Sequence, residues 1–155
     1  MLALPVPPRL ATAADVPALA ALYADAARTL GPLVYSPAQV SAWASFAADA
    51  VAFGDYILDA QTWILGEPPQ AFCGIGAGGE VHSLYVAPAR TRQGLGSALL
   101  AHAMAQARAQ GVTQFSAWAT PFSCPVFQRA GLQLVQTVTE PYQGVLFERY
   151  RLAST

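Results

Sequence analysis

The spacing of apolar residues changes at position 95, and that change splits the centre of the chain into two elements. Glu80–Val86 reads E-V-H-S-L-Y-V, short and rich in β-branched, aromatic and aliphatic residues, with Pro88 just beyond, which predicts a strand. From there Leu95, Ala98, Leu99, Ala103 and Met104 return with helical spacing, which predicts a helix with one buried face that Gly111 stops. Upstream, residues 9–11 read as a short first strand. Val16, Leu19, Ala20, Leu22, Tyr23, Ala26 and Ala27 then trace a helical face, which Gly31-Pro32 ends. Ser36-Pro37 is the next start signal, a cap followed by proline at the first helical position, and that helix carries Val40, Trp43, Ala44 and Ala47. The apolar region 42–53 contains Asp49 and reads as buried or amphipathic helix, with a weaker helical segment at 49–58 interrupted at Gly54.

Residues 62–65 and 71–76 read as strands joined through Glu67-Pro68-Pro69, and Gly78-Gly79 turns the chain into 80–86, an antiparallel meander. After the long helix come a strand at 114–119, a short helix at 124–130 stopped by Gly131, and a hairpin of 134–139 and 145–152 around 141–144. The order is one strand, two or three helices, three strands, helix, strand, helix and two strands. This α/β (α+β) pattern implies a mixed, mostly antiparallel sheet of six or seven strands with helices on both faces. At 155 residues with 54% hydrophobic content, the chain fits a single domain spanning 1–155 with one core.

Charge narrows the function classes. The formal net charge is −1, from 8 basic and 9 acidic residues; every basic residue is arginine, and no basic block or stripe calls for nucleic acid. Cys73 and Cys124 form no C-x-x-C pair, which argues against zinc or a disulfide framework and suits a reducing cytoplasm. The N-terminal M-L-A-L-P-V-P-P-R-L lacks a basic leader and is broken by prolines, so it does not read as a secretory signal. No apolar run reaches the ~18 residues of a membrane span.

Residues 87–96 join strand to helix with arginines and two glycines. A helix start carries unpaired backbone N–H groups and the positive end of the helix dipole, so a glycine-rich entry suits phosphate oxygens. Gly94 and Gly96 let a ligand approach the backbone, and Arg92 adds a fixed planar charge. The same residues also fit an ordinary tight connection. A second glycine cluster, Gly74 to Gly79, satisfies G-x-G-x-x-G literally, but a strand follows it instead of a helix, which makes it a glycine-rich hairpin.

T-R-Q-G-L-G-S-A-L-L resembles the acyl-CoA pyrophosphate loop, Q/R-x-x-G-x-G/A, of the GNAT superfamily of N-acetyltransferases. The preceding S-L-Y-V-A-P is similar to the family strand that pairs with the pantetheine arm. P-V-F-Q-R-A-G-L near residue 130 extends the likeness, and Y-S-P-A-Q-V-S-A-W-A near residue 40 is similar to a bacterial subset. The resemblance implies a GNAT-like fold whose central strands splay apart to admit the cofactor. It implies cofactor contacts from Arg92, Gln93, Gly94, Leu95, Gly96 and Ser97, from the backbone of Leu84, Tyr85 and Val86, and from Phe127. Thr91 stands where the family's first Q/R falls, leaving Arg90 or Arg92 as substitutes.

Moving an acetyl group from a thioester to an amine requires a base for the amine, a donor for the oxyanion and an acid for the thiolate. Strand alternation places Glu80 and His82 on one face and Val81 on the other, so both are candidate bases. Glu80 matches the family's strand-borne glutamate, and histidine is the residue type that changes charge nearest neutral pH. The structural alternative is a turn-edge glutamate and a histidine on a partly wet strand face. The backbone near Leu84 to Val86 supplies the donors, with Tyr85 free to point into the core. The family's tyrosine acid falls on Phe127, which cannot give a proton; Tyr142 and Cys124 are the substitutes the resemblance puts in reach, with solvent as a third source. By the same resemblance Tyr35, Trp43, Phe122 and Tyr142 border the acceptor pocket. No acidic cluster calls for a polyamine, and no metal is implied.

The expected protein is thus a cytoplasmic, bacterial N-acetyltransferase that uses acetyl-CoA as donor and a small-molecule or peptide primary amine as acceptor. It has no nucleic-acid or membrane partner, and exposed sheet edges admit a homodimer. A non-catalytic acyl-CoA-binding or regulatory domain is the alternative, and a phosphate-binding module unrelated to CoA is a distant third.

Overall fold

The computed structural model describes residues 4 and 6–154; residues 1–3 and 5 of the N-terminal stretch read above for secretion lie outside the described residues. The chain runs β1 (Arg9–Leu10), α1 (Val16–Leu30), α2 (Pro37–Ser45), α3 (Ala50–Leu58), β2 (Gln61–Leu65), β3 (Ala71–Ile75), β4 (Glu80–Val86), α4 (Leu95–Ala109), β5 (Ser116–Ala119), α5 (Cys124–Arg129), β6 (Gln133–Tyr142) and β7 (Val145–Ala153). The seven strands form one sheet in the order β1-β2-β3-β4-β5-β7-β6. Every pairing is antiparallel except that of β4 with β5, which is parallel and held at two positions, Glu80 opposite Ser116 and Val81 opposite Ala117.

Each face of the sheet has its own core. Leu99, Leu100, Ala103 and Met104 of α4 pack with Cys73, Val81, Ala117, Phe127 and Leu152 on one face. Leu19, Leu22 and Tyr23 of α1 pack with Phe53, Ile57, Ile64 and Phe72 on the other. Each large apolar side chain buried in this way contributes roughly 1.5–3 kcal/mol.

Three local details differ from the sequence reading. The apolar region 42–53 is not one helix: Asp49 adopts extended backbone and its side chain accepts from Ala52 N at 3.0 Å, capping α3. Gly54 does not interrupt α3, because burial of Phe53 and Ile57 outweighs a glycine penalty of about 1 kcal/mol. The last hairpin turns on only two residues, Gln143 (φ 53°) and Gly144 (φ 73°), the left-handed pair that a two-residue turn requires. Pro141 therefore falls inside β6, where an edge strand tolerates its missing N–H.

The alternation expected along β4 is also broken. Gly74 pairs with Ser83 and Ile75 with Val81, so His82 is an extra residue, a β-bulge. Beyond it the facing is reversed: Val81, Leu84 and Val86 meet the α4-side core, whereas Tyr85 packs with the α1-side cluster.

The first strand is tied to α1 by a carboxylate. Asp15 accepts from Arg9 Nη1 and Nη2 at 2.9 and 2.8 Å and from Thr12 N at 2.8 Å, and the Arg9 guanidinium holds its carboxyl well below the usual carboxylate range. Because the folded value is depressed, this stabilisation is present above the ordinary carboxylate range and is lost as pH falls through it. Asp15→Asn should cost about 1 kcal/mol in urea unfolding at pH 7 and almost nothing at a pH low enough to protonate the wild-type group. An equal cost at both pH values would show that charge contributes nothing here.

Candidate active site

Beyond their two paired positions β4 and β5 part, and the gap opens into a cavity of about 420 Å³. Gly79 sits at the closed end, its carbonyl accepting from Ser116 N at 3.1 Å. From Ser83 to Val86, β4 is paired to β3 on one edge only, which leaves the other edge without a strand partner facing the gap. Backbone donors and acceptors there are available to an extended ligand.

One end of the cavity is the start of α4. Gly94 takes a left-handed conformation (φ 78°), no side chain caps the helix, and the first return bond is Ala98 N to Gly94 O at 3.0 Å. The amides of Leu95, Gly96 and Ser97 are therefore without helical acceptors. Arg90, Thr91, Arg92, Gly94, Leu95, Gly96 and Ser97 all line this end. Thr91 is committed to the turn itself, its hydroxyl donating to Pro88 O at 3.0 Å. Among the described residues the salt bridges engage Arg9 and Arg149, so Arg90, Arg92 and Arg129 bring uncompensated positive charge to the cavity wall. An uncapped helix start flanked by such charges suits a diphosphate.

The middle of the cavity is apolar, with Leu84, Val86, Val126 and the buried Phe127. Two hydroxyls face it: Ser123 Oγ accepts from Thr120 N at 3.0 Å and lies 3.3 Å from Thr120 Oγ1.

The far end is aromatic. Trp43 Nε1 donates to Tyr85 Oη at 3.3 Å, and the Tyr85 ring lies 4.6 Å from that of Tyr23. Burial pushes the phenols of Tyr23, Tyr56 and Tyr85 above the ordinary tyrosine range, so all three stay protonated. Tyr35, whose phenol desolvation pushes to about 12, meets Trp43, Phe122 and Phe147 edge-on at 5.6, 6.4 and 5.5 Å.

The residues singled out from sequence distribute unevenly. His82 lines the cavity and rests on Gly76, where an added Cβ would come within 2.9 Å of its Nε2. Glu80 does not line it and is exposed at the closed end, where β4 is still paired to β5. Tyr142 is exposed at the tip of β6, and neither it nor Cys124, whose thiol burial pushes up, is among the lining residues. Gln93 is exposed and off the wall; Leu84, Tyr85, Val86, Phe127, Trp43 and Phe122 are on it, and Tyr35 buttresses the last two.

Sequence reasoning missed Ser83, Tyr56, Trp118, Thr120, Ser123 and Arg129, all of which line the cavity. Ser83 carried a usable signal, a lone small polar residue inside an apolar strand. Trp118 did not, since only the parting of β4 and β5 makes its face a wall.

The model of the acetyltransferase (GNAT) family matches residues 43–132, more than half of the chain. The chain belongs to the GNAT acetyltransferase family. The splayed central strands implied by the GNAT resemblance are present in the parting of β4 and β5. Among solved GNAT-like structures, a GCN5-related N-acetyltransferase from Rhodopseudomonas palustris superposes with a TM-score of 0.91 at 22% identity, over 100% of this chain and 98% of that one. The PaiA N-acetyltransferase from Thermoplasma acidophilum, in complex with coenzyme A, superposes with a TM-score of 0.74 at 14% identity, over 96% and 97%. YncA from Salmonella typhimurium, with its cofactor acetyl-CoA, gives 0.64 at 17% identity, over 95% and 91%. No curated protein matches the GNAT chain.

Proposed function

We propose that residues 1–155 act as a single acyltransfer domain that moves the acetyl group of acetyl-CoA to a primary amine of a small molecule or peptide. The observation that carries this reading is one continuous cavity joining the uncapped start of α4 to the open edge of β4 and on to the aromatic end. Family membership and relatives solved with coenzyme A and with acetyl-CoA support it.

The residues present fit the donor. Amides of Leu95, Gly96 and Ser97, with Arg90, Arg92 and Arg129 nearby, would hold its diphosphate. The open edge of β4 from Leu84 to Val86 would pair its arm and orient the carbonyl, while Phe127 packs against it. When bound, acetyl-CoA supplies a thioester whose C–S bond breaks as the C–N bond to the acceptor forms. His82, the cavity-lining candidate base, takes the proton released from the amine nitrogen. The departing thiolate takes a proton from solvent or from the wall hydroxyls of Thr120 and Ser123; Tyr142 and Cys124 are off the wall. A bacterial cytoplasm, where free Cys73 and Cys124 stay reduced, is the compartment this reading assigns.

Calorimetry with acetyl-CoA, free CoA and ATP tests the donor site. Micromolar binding of both CoA species is expected, with ATP weaker by about tenfold or more. Gly96→Val, which places methyl groups over the free amides, should weaken CoA by a similar factor. ATP binding as tightly as CoA would point instead to a phosphate site unrelated to CoA. Thiol release across a panel of amines separates an enzyme from a binding domain, since only an enzyme liberates CoA faster with an acceptor present.

A further inference from the structure

The aromatic end of the cavity is unusual in its charge. Among the described residues that line the cavity none is Asp or Glu, whereas Arg90 and Arg92 line the opposite end and Arg129 is also on the wall. The nearest carboxylates on the hairpin are engaged, Glu140 with Arg149 at 3.2 Å and Glu148 with the Tyr150 hydroxyl at 2.6 Å. Arg149 also stacks over Trp118, 4.8 Å from the ring centroid, which adds another positive charge beside the wall. The phenols of Tyr23, Tyr56 and Tyr85 are held neutral by burial and offer no negative charge.

Polarity at this end comes from neutral groups. Ser83 is 4% exposed and its Oγ has no partner in good geometry, although the Tyr56 phenol lies close by. A buried hydroxyl without a partner is costly, and a ligand that bonds to it relieves that cost. The same cavity has flat walls, Trp43 and Phe122 being stacked 20° from parallel with centroids 6.2 Å apart.

We infer that the acceptor is a weakly basic primary amine on a flat aromatic frame, an arylamine being the simplest member, and not an alkylammonium such as lysine or a polyamine. This assignment rests on the acetyl-transfer reading above. An ammonium entering this end loses water and finds no counter-charge. A lysine-type amine, with an ordinary pKa of roughly 10.4, must first shed a proton and is uncharged in only about one molecule in a thousand at neutral pH. An arylamine enters uncharged, keeps its lone pair for the new C–N bond, and has two N–H groups, one of which Ser83 Oγ can accept. One N–H proton leaves to His82, which returns it to solvent, the other stays on the amide nitrogen, and the thiolate released from the broken C–S bond takes a proton from solvent.

Aniline and benzylamine carry the same ring and differ mainly in basicity, which makes them the test pair, with spermidine as the polycation. Acetyl-CoA binding is measured first by calorimetry, then thiol release at neutral pH under saturating acetyl-CoA. Aniline should be used with kcat/KM about tenfold or more above benzylamine, and spermidine should be inert. Leu33 is 73% exposed and lines the cavity, so Leu33→Glu adds a carboxylate without disturbing the core. That variant should raise the kcat/KM ratio of benzylamine to aniline about two- to fivefold. Acetyl-CoA binding with benzylamine or spermidine preferred, with no discrimination, or with neither amine acetylated overturns the acceptor assignment alone. Failure to bind acetyl-CoA overturns the transfer reading and the acceptor assignment together.

Discussion

His82→Ala should lower kcat/KM for acetyl transfer by about 10²- to 10⁴-fold, the range expected when a positioned base is removed, while Glu80→Gln lowers it by less than about tenfold. The asymmetry follows from position along β4: His82 stands where β4 and β5 have parted and lines the cavity, whereas Glu80 is still paired to β5 and is exposed at the closed end. His82 is half-buried and its ring rests against Gly76, so its removal empties no core site. Acetyl-CoA affinity and the urea midpoint should therefore match wild type, which distinguishes lost chemistry from lost structure. Equal activity of His82→Ala and wild type, or a larger loss in Glu80→Gln, would remove His82 from the reaction.

Gly79→Ala should destabilise the fold by about 2–4 kcal/mol, a large share of a stability of roughly 5–15 kcal/mol. Two costs combine. Gly79 has φ 87°, a conformation that costs an ordinary L residue about 1 kcal/mol. Its Cβ would also fall on the carbonyl oxygen of Gln114, which is backbone and cannot rotate aside. Relief requires Gly79 and the start of β5 to separate, which strains the bond from Ser116 N and the short parallel pairing that closes the cavity. Urea unfolding measures the stability loss, and acetyl-CoA affinity should fall with it as the gap between β4 and β5 changes shape. By contrast, Gly78→Ala meets nothing within 4 Å and should cost far less. A Gly79→Ala protein within about 0.5 kcal/mol of wild type, the usual range for a neutral surface change, would show that contact to be dispensable.

The order of elements was legible in the chain, because each element carries a local cause. Helical spacing marked α1 and α4, Ser36-Pro37 marked the start of α2, and Gly78-Gly79 marked the turn before β4. The loop at the start of α4 was legible for the same reason, since backbone amides at a glycine-rich helix entry need no distant partner. Helix continuity through Gly54 and the break at Asp49 were not legible, because burial of Phe53 and Ile57 and the reach of one carboxylate decided them.

Which side chains face the ligand was settled by packing between distant elements. The β-bulge at His82 comes from the mismatch of β3 with β4, a property of two strands that neither segment encodes alone. Ser83, Trp118 and Arg129 become wall residues because β4 and β5 pair at two positions and then separate. The absence of a carboxylate from the lining is likewise a fact of placement: the chain has nine acidic residues, and folding directs all of them elsewhere. Local sequence sets backbone conformation through short-range sterics and hydrogen bonds, whereas a cavity is the space between elements distant in the chain, and its chemistry is fixed only when they pack.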